Sequence, residues 1–421
     1  MKYSRPEEAK LKQRLSEPVR FINILAGPRQ VGKTTIVRDL IPPNSPRGFY
    51  ISVDEDADDS ILPFGKTSNA VSPPQKRDAD WLRYYWHEAR DRAGKRAENR
   101  FQNRDEPYLF AIDEIQKIEQ WSETVKGLWD ADRASGLNMH VVLLGSAPLL
   151  MQKGLTESLA GRYELMPVTH WGFAEMQQAF DFSLEEFIYF GGYPGSAALI
   201  HEESRWRRYV KESLIQPNIE KDIVQMVRIK DHALLKQLFE YGCHYSGQEL
   251  SLTKIRKVFD EKPHVGTLAD YLQLLTQAKL LAGLHKYSAQ EVRKRNSVPK
   301  LIVFNTALMS AIQDYTFAEA QADRSYWGRL VESSVGAHLL NTSDNDTQVH
   351  YWRDGSDEVD FVLSRGRKLA AIEVKSSAHP ARVRGLEIFA QRNPSAKTIL
   401  IGAGGIPLAE FLSYPAEHWL G

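Results

Sequence analysis

Eight consecutive residues, Gly27-Pro28-Arg29-Gln30-Val31-Gly32-Lys33-Thr34, constrain this chain more than any other segment. They match the pattern G-x-x-x-x-G-K-[ST] without a mismatch and stand between two different periodicities. Before them, Phe21-Ile22-Asn23-Ile24-Leu25-Ala26 is the short apolar run of a buried strand. After them, Thr34 to Ile41 carries apolar residues at 36, 37, 40 and 41, a helical spacing that Pro42-Pro43 stops. A strand that turns through two glycines into a helix aims its backbone N–H groups at one point. The helix N-terminus adds its partial positive charge there, and the result is a phosphate cradle. The reading expects residues 27–35, Thr35 included, to bind ATP. Lys33 would reach the β- and γ-phosphates, and the Thr34 hydroxyl would hold Mg²⁺.

Three further apolar runs read as strands: Phe49 to Val53, Leu109 to Ile112 and Val141 to Leu144. Near-continuous apolar strands separated by helices imply a parallel sheet covered on both faces. Asp113 and Glu114 follow the strand ending at Ile112. An acid at that strand end can bind Mg²⁺, usually through water, and its neighbour is placed to orient or deprotonate the attacking water. The alternative is that the pair caps the next helix. The following strand ends at Leu144-Gly145-Ser146, which makes Ser146 a γ-phosphate sensor candidate. Arg162, before the apolar segment Tyr163 to Val168, reads either as an arginine finger for a neighbouring subunit's nucleotide or as half of an intramolecular ion pair.

The length of 421 residues suggests about three domains. Lys and Arg equal Asp and Glu at 54 each, which disfavours coating nucleic acid by bulk charge but leaves a local basic face open. One cysteine, Cys243, excludes an intramolecular disulfide framework, and it reads as a core thiol. The charged start does not read as a signal peptide, and the longest apolar stretch, Val141 to Met151, is too short to span a bilayer. The expectation is a soluble, cytoplasmic protein with no membrane contact. Residues 54–80 read as a long acidic, then Pro-rich loop. Residues 81–104 read as a helix rich in Arg and Lys, either a solvated face or a nucleic-acid contact.

Residues 230–300 hold 12 Lys and Arg against 7 Asp and Glu. Leu252 to Phe259 and Thr267 to Leu281 read as two short helices, followed by a strand near 280–287 and Arg293-Lys294-Arg295 in the next loop. Helix–turn–helix followed by a basic hairpin is a winged-helix pattern, though a helical lid on an ATPase core has the same periodicity. From residue 325 a second α/β unit follows. Glu373 and Lys375 lie two apart on one strand and so share a face. Asp360 closes the preceding strand, and Glu332 lies on the helix before it. Carboxylates that hold a metal beside a lysine that steadies the attacking water are what a metal-dependent phosphodiesterase needs. Alternating charges on a solvated hairpin are the plainer reading.

Taken together, Gly27 to Thr35, Ile112-Asp113-Glu114-Ile115-Gln116, Leu144-Gly145-Ser146-Ala147, Leu159-Ala160-Gly161-Arg162 and Gly191-Gly192-Tyr193-Pro194-Gly195 resemble the prokaryotic AAA-type ATPases that carry a C-terminal domain of unknown function. In that family the C-terminal part begins near a motif such as Ile219-Glu220-Lys221-Asp222-Ile223. It ends in a domain marked here by Trp352-Arg353, Glu358-Val359-Asp360-Phe361 and Ile372-Glu373-Val374-Lys375. The resemblance implies an α/β fold with a P-loop parallel-sheet ATPase core (1–179), a helical lid and winged-helix-like middle (180–300), and a PD-(D/E)XK nuclease-like end (301–421). Gly191-Gly192-Tyr193-Pro194 also resembles the Gly-x-Pro element of signalling ATPases, which implies that Pro194 lies near the adenine. The resemblance carries no biological role of its own; with the basic middle region and the C-terminal acid–lysine set, the expectation is a Mg²⁺-dependent ATPase coupled to binding or remodelling DNA, branched or single-stranded, working as a homo-oligomer with an intersubunit nucleotide site. Two alternatives stand beside it: a slowly hydrolysing ATP switch read by protein partners, and an ATP-regulated, metal-dependent nuclease.

Overall fold

The structure is a computed structural model. It describes residues 3–42, 45–54, 74–98, 107–146, 158–223, 229, 231–259, 262–288, 297–375 and 383–421, with backbone alone at 96–98, 221 and 222. Most of the acidic, Pro-rich loop, the basic residues Arg100 and Arg104, Ala147, and Arg293-Lys294-Arg295 lie outside the described residues. Two compact units divide the chain, Met1–Val168 and Thr169–Gly421.

The first unit runs α1 (Pro6–Leu15), β1 (Ile22–Ala26), α2 (Lys33–Leu40), β2 (Gly48–Ser52), α3 (Ala79–Glu98), β3 (Tyr108–Asp113), α4 (Trp121–Ser135), β4 (Met139–Gly145) and β5 (Tyr163–Pro167). Its sheet has the order β2-β3-β4-β1-β5, and every pairing is parallel. Successive strand side chains point to opposite faces, and here both faces are buried. Ile22, Ile24, Phe110, Ile112, Val141 and Leu143 meet Trp81, Trp86, Val125 and Trp129 of α3 and α4. Leu25, Ala111, Val142 and Leu144 meet Leu11, Ile36 and Val37 of α1 and α2. That is why these strands read as unbroken apolar runs.

The arginine-rich helix α3 is a core helix. Trp81, Leu82, Tyr85, Trp86, Ala89 and Ala93 are buried along it. Several of its cations are paired within the unit. Arg90 donates to Asp132 (2.5 Å) and to the Leu128 carbonyl (2.8 Å). Arg92 bonds Glu88 (2.8 Å) and covers the Phe49 ring at 4.2 Å, and Arg83 pairs with Asp80.

The second unit opens with α5 (Phe173–Phe180), α6 (Leu184–Phe190) and α7 (Glu203–Tyr209). Then come α8 (His232–His244), β6 (Gln248–Glu249), α9 (Leu252–Val258), α10 (Val265–Gln277), β7 (Leu281–Leu284) and β8 (Lys300–Val303). The strands form an antiparallel sheet of order β6-β8-β7. Helix, strand, two helices and a hairpin in this order make the winged-helix arrangement. The unit continues with α11 (Thr306–Ile312), α12 (Phe317–Ala322), α13 (Arg324–Thr342), β9 (Gln348–Asp354), β10 (Asp357–Arg365), β11 (Lys368–Lys375), α14 (Arg384–Arg392) and β12 (Lys397–Gly402). The last four strands form a mixed sheet of order β12-β11-β10-β9, antiparallel except for β11 with β12. Helix α14 covers one face with Leu386 and Phe389 against Trp352, Val359, Val362 and Ala371. Helix α13 closes on Phe361 and Ile302 at Gly336, where an added Cβ would come within 2.9 Å of both.

Candidate functional site

The phosphate loop spans the end of β1 and the start of α2. Gln30 (φ 63) and Gly32 (φ 93) take left-handed backbone conformations, which turn the chain onto the helix. Gly27 has no room for a side chain, because a Cβ there would sit 1.8 Å from the Val168 carbonyl oxygen. Pro28 and Val31 are buried, Arg29 is half-buried, and Gln30 and Thr35 are exposed. Arg5, itself buried, donates to the Val31 carbonyl (2.8 Å) and braces the loop from α1. Lys33 is only 6% exposed. It folds back to donate to the carbonyls of Gly27 (2.9 Å) and Pro28 (2.7 Å).

The parallel register brings the acids to this loop, because β3 and β1 both end on the same edge of the sheet. The Thr34 hydroxyl donates to Asp113 Oδ2 at 2.6 Å across 79 residues of sequence. The Tyr50 hydroxyl from β2 donates to the same oxygen at 2.8 Å, and Asp113 Oδ1 accepts from the Glu114 amide at 2.9 Å. Glu114 sits at φ 56, a left-handed conformation uncommon outside glycine, which turns its carboxylate off the strand axis. Glu114 Oε2 accepts from Ser146 Oγ (2.8 Å) and Gln116 Nε2 (2.5 Å). A hydroxyl beside a hard carboxylate suits Mg²⁺, and a lysine among loop carbonyls suits phosphate oxygens. The residues therefore fit a Mg²⁺–nucleotide.

Arg162 forms a two-pronged pair with Asp130 of α4, at 2.8 and 3.0 Å. Their hydrogen bond holds the guanidinium above its ordinary pKa and the Asp130 carboxyl below its own.

Pro194 belongs to the second unit, where it is half-buried at the start of a 3₁₀ turn, Pro194–Leu199. The glycines before it are packing positions. At Gly191 (φ +69) a Cβ would lie 2.0 Å from Asn305 Oδ1, and at Gly192 another would lie 2.0 Å from the Trp171 carbonyl. Asn305 Oδ1 accepts from the Gly192 amide and from the Ala307 amide, both at 3.1 Å, so one side chain ties the glycine turn to the start of α11. Tyr193 is buried with its ring edge-on to His170.

The C-terminal carboxylates come together around a residue that sequence reading passed over. Lys300 Nζ lies 2.5 Å from Glu332 Oε1 and 3.5 Å from Asp360 Oδ1, and it donates to the Asp360 carbonyl at 3.1 Å. Asp360 Oδ2 accepts from the Val374 amide at 2.8 Å. Lys375 donates to Glu373 Oε1 at 2.5 Å, while Glu373 Oε2 is buried without a hydrogen-bond partner. Burial, and then the Asp360 charge, push the Glu373 carboxyl up to about 7. Burial pushes Glu332 to about 7 as well, against the pull of Lys300. Burial would lower Lys300, but Glu332 and Asp360 hold it above the ordinary lysine value. Among the described residues, no three His, Cys, Asp or Glu side chains are grouped to hold a metal ion.

Residues 19–177 match a family model described as an AAA domain. The first unit is a AAA-type P-loop ATPase domain. Residues 181–319 and 327–410 match two models described as domains of unknown function, DUF8612 and DUF4143. An uncharacterized protein of Haemophilus influenzae is 21% identical over 366 residues, 84% of this chain and 82% of that one. An uncharacterized protein of Mycobacterium tuberculosis is 25% identical over 318 residues, 74% of this chain and 65% of its own length. Among solved structures, a Walker-type ATPase of Pyrococcus abyssi superposes with a TM-score of 0.50 at 16% identity, over 74% of this chain and 95% of that one. That likeness extends the fold assignment beyond the AAA domain. No helix among the described residues is long and apolar enough to cross a membrane.

The AAA domain brings Lys33, Thr34, Asp113, Glu114 and Ser146 to one strand edge, and adds Tyr50 and Gln116 to them. Gln116 was within reach of sequence reasoning, two residues past the paired acids. Tyr50 was not, since an aromatic residue on an apolar strand reads as core.

Proposed function

We propose that this chain is a Mg²⁺-dependent ATPase whose AAA domain governs how its second unit engages DNA. The observation that carries the reading is the Thr34–Asp113 hydrogen bond, which joins the phosphate loop to the first acid of the Asp113-Glu114 pair. In this reading Gly27 to Thr35 and Lys33 hold the phosphates, and Thr34 and Asp113 hold Mg²⁺. The ion, when bound, neutralises charge that develops on the phosphate oxygens. Glu114 orients the attacking water and accepts its proton, and Ser146 senses the γ-phosphate through its bond to Glu114. Tyr50 keeps the Asp113 carboxylate in place. Arg162, released from Asp130, would serve a neighbouring subunit's nucleotide in a homo-oligomer.

The winged-helix arrangement supports DNA as the partner. Its exposed cations include Lys254 and Lys257 on α9. The outward residues of α10 are Val265, Gly266, Ala269, Asp270 and Gln273, with no cation among them. Basic contacts off the groove-reading helix favour phosphate over base edges, and so DNA shape over sequence. The test is ATP turnover with and without single-stranded, duplex and four-way DNA. Stimulation by one shape that fades with added salt supports the reading. Turnover in Glu114→Gln at the wild-type rate removes Glu114 from the mechanism.

The double hold on Glu114 Oε2 by Ser146 and Gln116 favours a second reading, a slowly hydrolysing switch read by a protein partner. Slow turnover indifferent to every DNA would select it.

A further inference from the structure

A nuclease of the PD-(D/E)XK kind would hold a divalent ion among carboxylates placed like Glu332, Asp360 and Glu373. The geometry of this cluster does not fit that use. Lys300 enters from β8, the last strand of the winged-helix sheet, and its side chain is 8% exposed. Its ammonium forms an ion pair with Glu332 Oε1 at 2.5 Å and donates to the Asp360 carbonyl at 3.1 Å and to Asp360 Oδ1 at 3.5 Å. The other Asp360 oxygen is taken by the Val374 amide. Lys375, the lysine expected to steady a water, is spent on Glu373 at 2.5 Å. The Phe361 ring closes beneath the Lys300 ammonium, 4.9 Å from ring centre to Nζ.

We propose that the Lys300 ammonium is the resident cation of this cluster, occupying the place of the divalent ion, so that the C-terminal domain takes no metal there. Mg²⁺ demands short oxygen ligands in an octahedron, about 2.1 Å from the ion. Glu332 and Asp360 already point their oxygens at a fixed ammonium. A divalent ion beside it would face a like charge in a site with little water to screen it. The consequence for function is specific. The unit has the layout of a phosphodiesterase but uses its acids and lysines as an ionic lock between the winged-helix sheet and the mixed sheet. Its role on a nucleic acid is to hold rather than to cut. Holding a nucleic acid rests on the DNA reading above, whereas the exclusion of a metal ion stands on Lys300 and its partners alone.

The experiment is a Mn²⁺ titration of the full-length chain without nucleotide, followed by the loss of free-ion EPR signal. Asp113→Asn is carried in every variant to silence the phosphate-loop site. Wild type at Lys300 should show no bound Mn²⁺ that Asp360→Asn removes. Lys300→Met, which keeps the stem and deletes the charge, should gain one site, and Asp360→Asn should abolish it. Mn²⁺ bound in the presence of Lys300 and lost in Asp360→Asn would overturn the proposal. So would a folded Lys300→Met that binds no ion. Should Lys300→Met fail to fold, Lys300→Gln takes its place, and the comparison with Lys300 intact can still refute the proposal.

Discussion

Replacing Glu373 with Gln should change how the stability of the second unit depends on pH. Glu373 is 6% exposed, with one carboxylate oxygen on Lys375 and the other buried and unpartnered. Its folded-state value is about 7 against 4.5 for an unburied glutamate, because burial and the Asp360 charge both oppose ionisation. A carboxyl raised on folding contributes stability that is fully present below pH 4.5 and is lost as pH rises through about 7. At about 1.4 kcal/mol per pH unit, the difference between the two values is worth about 3 to 4 kcal/mol at most. Glutamine cannot ionise. The stability of wild type minus Glu373→Gln should therefore fall by up to about 3 to 4 kcal/mol between pH 4.5 and pH 8. Thermal melts at half-unit pH intervals would show the two curves separating, by up to roughly 7 to 14 °C for a unit of this size. Parallel curves across that interval would refute the assignment of a strained, buried carboxyl at Glu373.

His338 predicts the opposite slope. It is buried, donates to the Tyr414 carbonyl at 2.8 Å, and is held neutral by burial, with its pKa lowered to about 4. Stability from the neutral ring is present above pH 6.5 and is lost as pH falls toward 4, so His338→Gln should flatten the acid limb of the melting curve. Gly27→Ala should abolish nucleotide binding, measured by fluorescent-ATP titration. Its Cβ would lie 1.8 Å from backbone oxygen, so either β5 or the loop must move. Gly191→Ala should destabilise the second unit by about 2–4 kcal/mol in urea unfolding, because it combines overpacking with a left-handed backbone site. Near-wild-type stability in that variant would mean that Asn305 does not clamp the turn.

Several elements were legible because their cause is local. The strand before Gly27, the helix after it and the glycine spacing between them lie within about one turn of each other, and the phosphate cradle is a property of that short segment. The pairing of Thr34 with Asp113 is almost as readable, since in a parallel sheet every strand leads to the same edge, and an acid after Ile112 arrives there whatever lies between. The strands of the C-terminal sheet were legible in the same way, from alternation and apolar runs.

The meanings of the Gly191-Gly192 turn and of Lys300 were not local. Asn305, 113 residues from Gly192, decides that these glycines are packing positions. A lysine opening the run Lys300-Leu301-Ile302-Val303 reads as the solvated end of a strand. It becomes a buried cation only because β8 pairs with β6 and β7 and packs beside α13, with the side chain reaching Asp360 of β10. Short-range sterics and hydrogen bonding wrote the nucleotide loop into consecutive residues, so sequence alone determined it. Whether Glu332 and Asp360 face a metal or an ammonium depends on desolvation and charge pairing with Lys300, 32 and 60 residues away along the chain, and only the tertiary structure decided it.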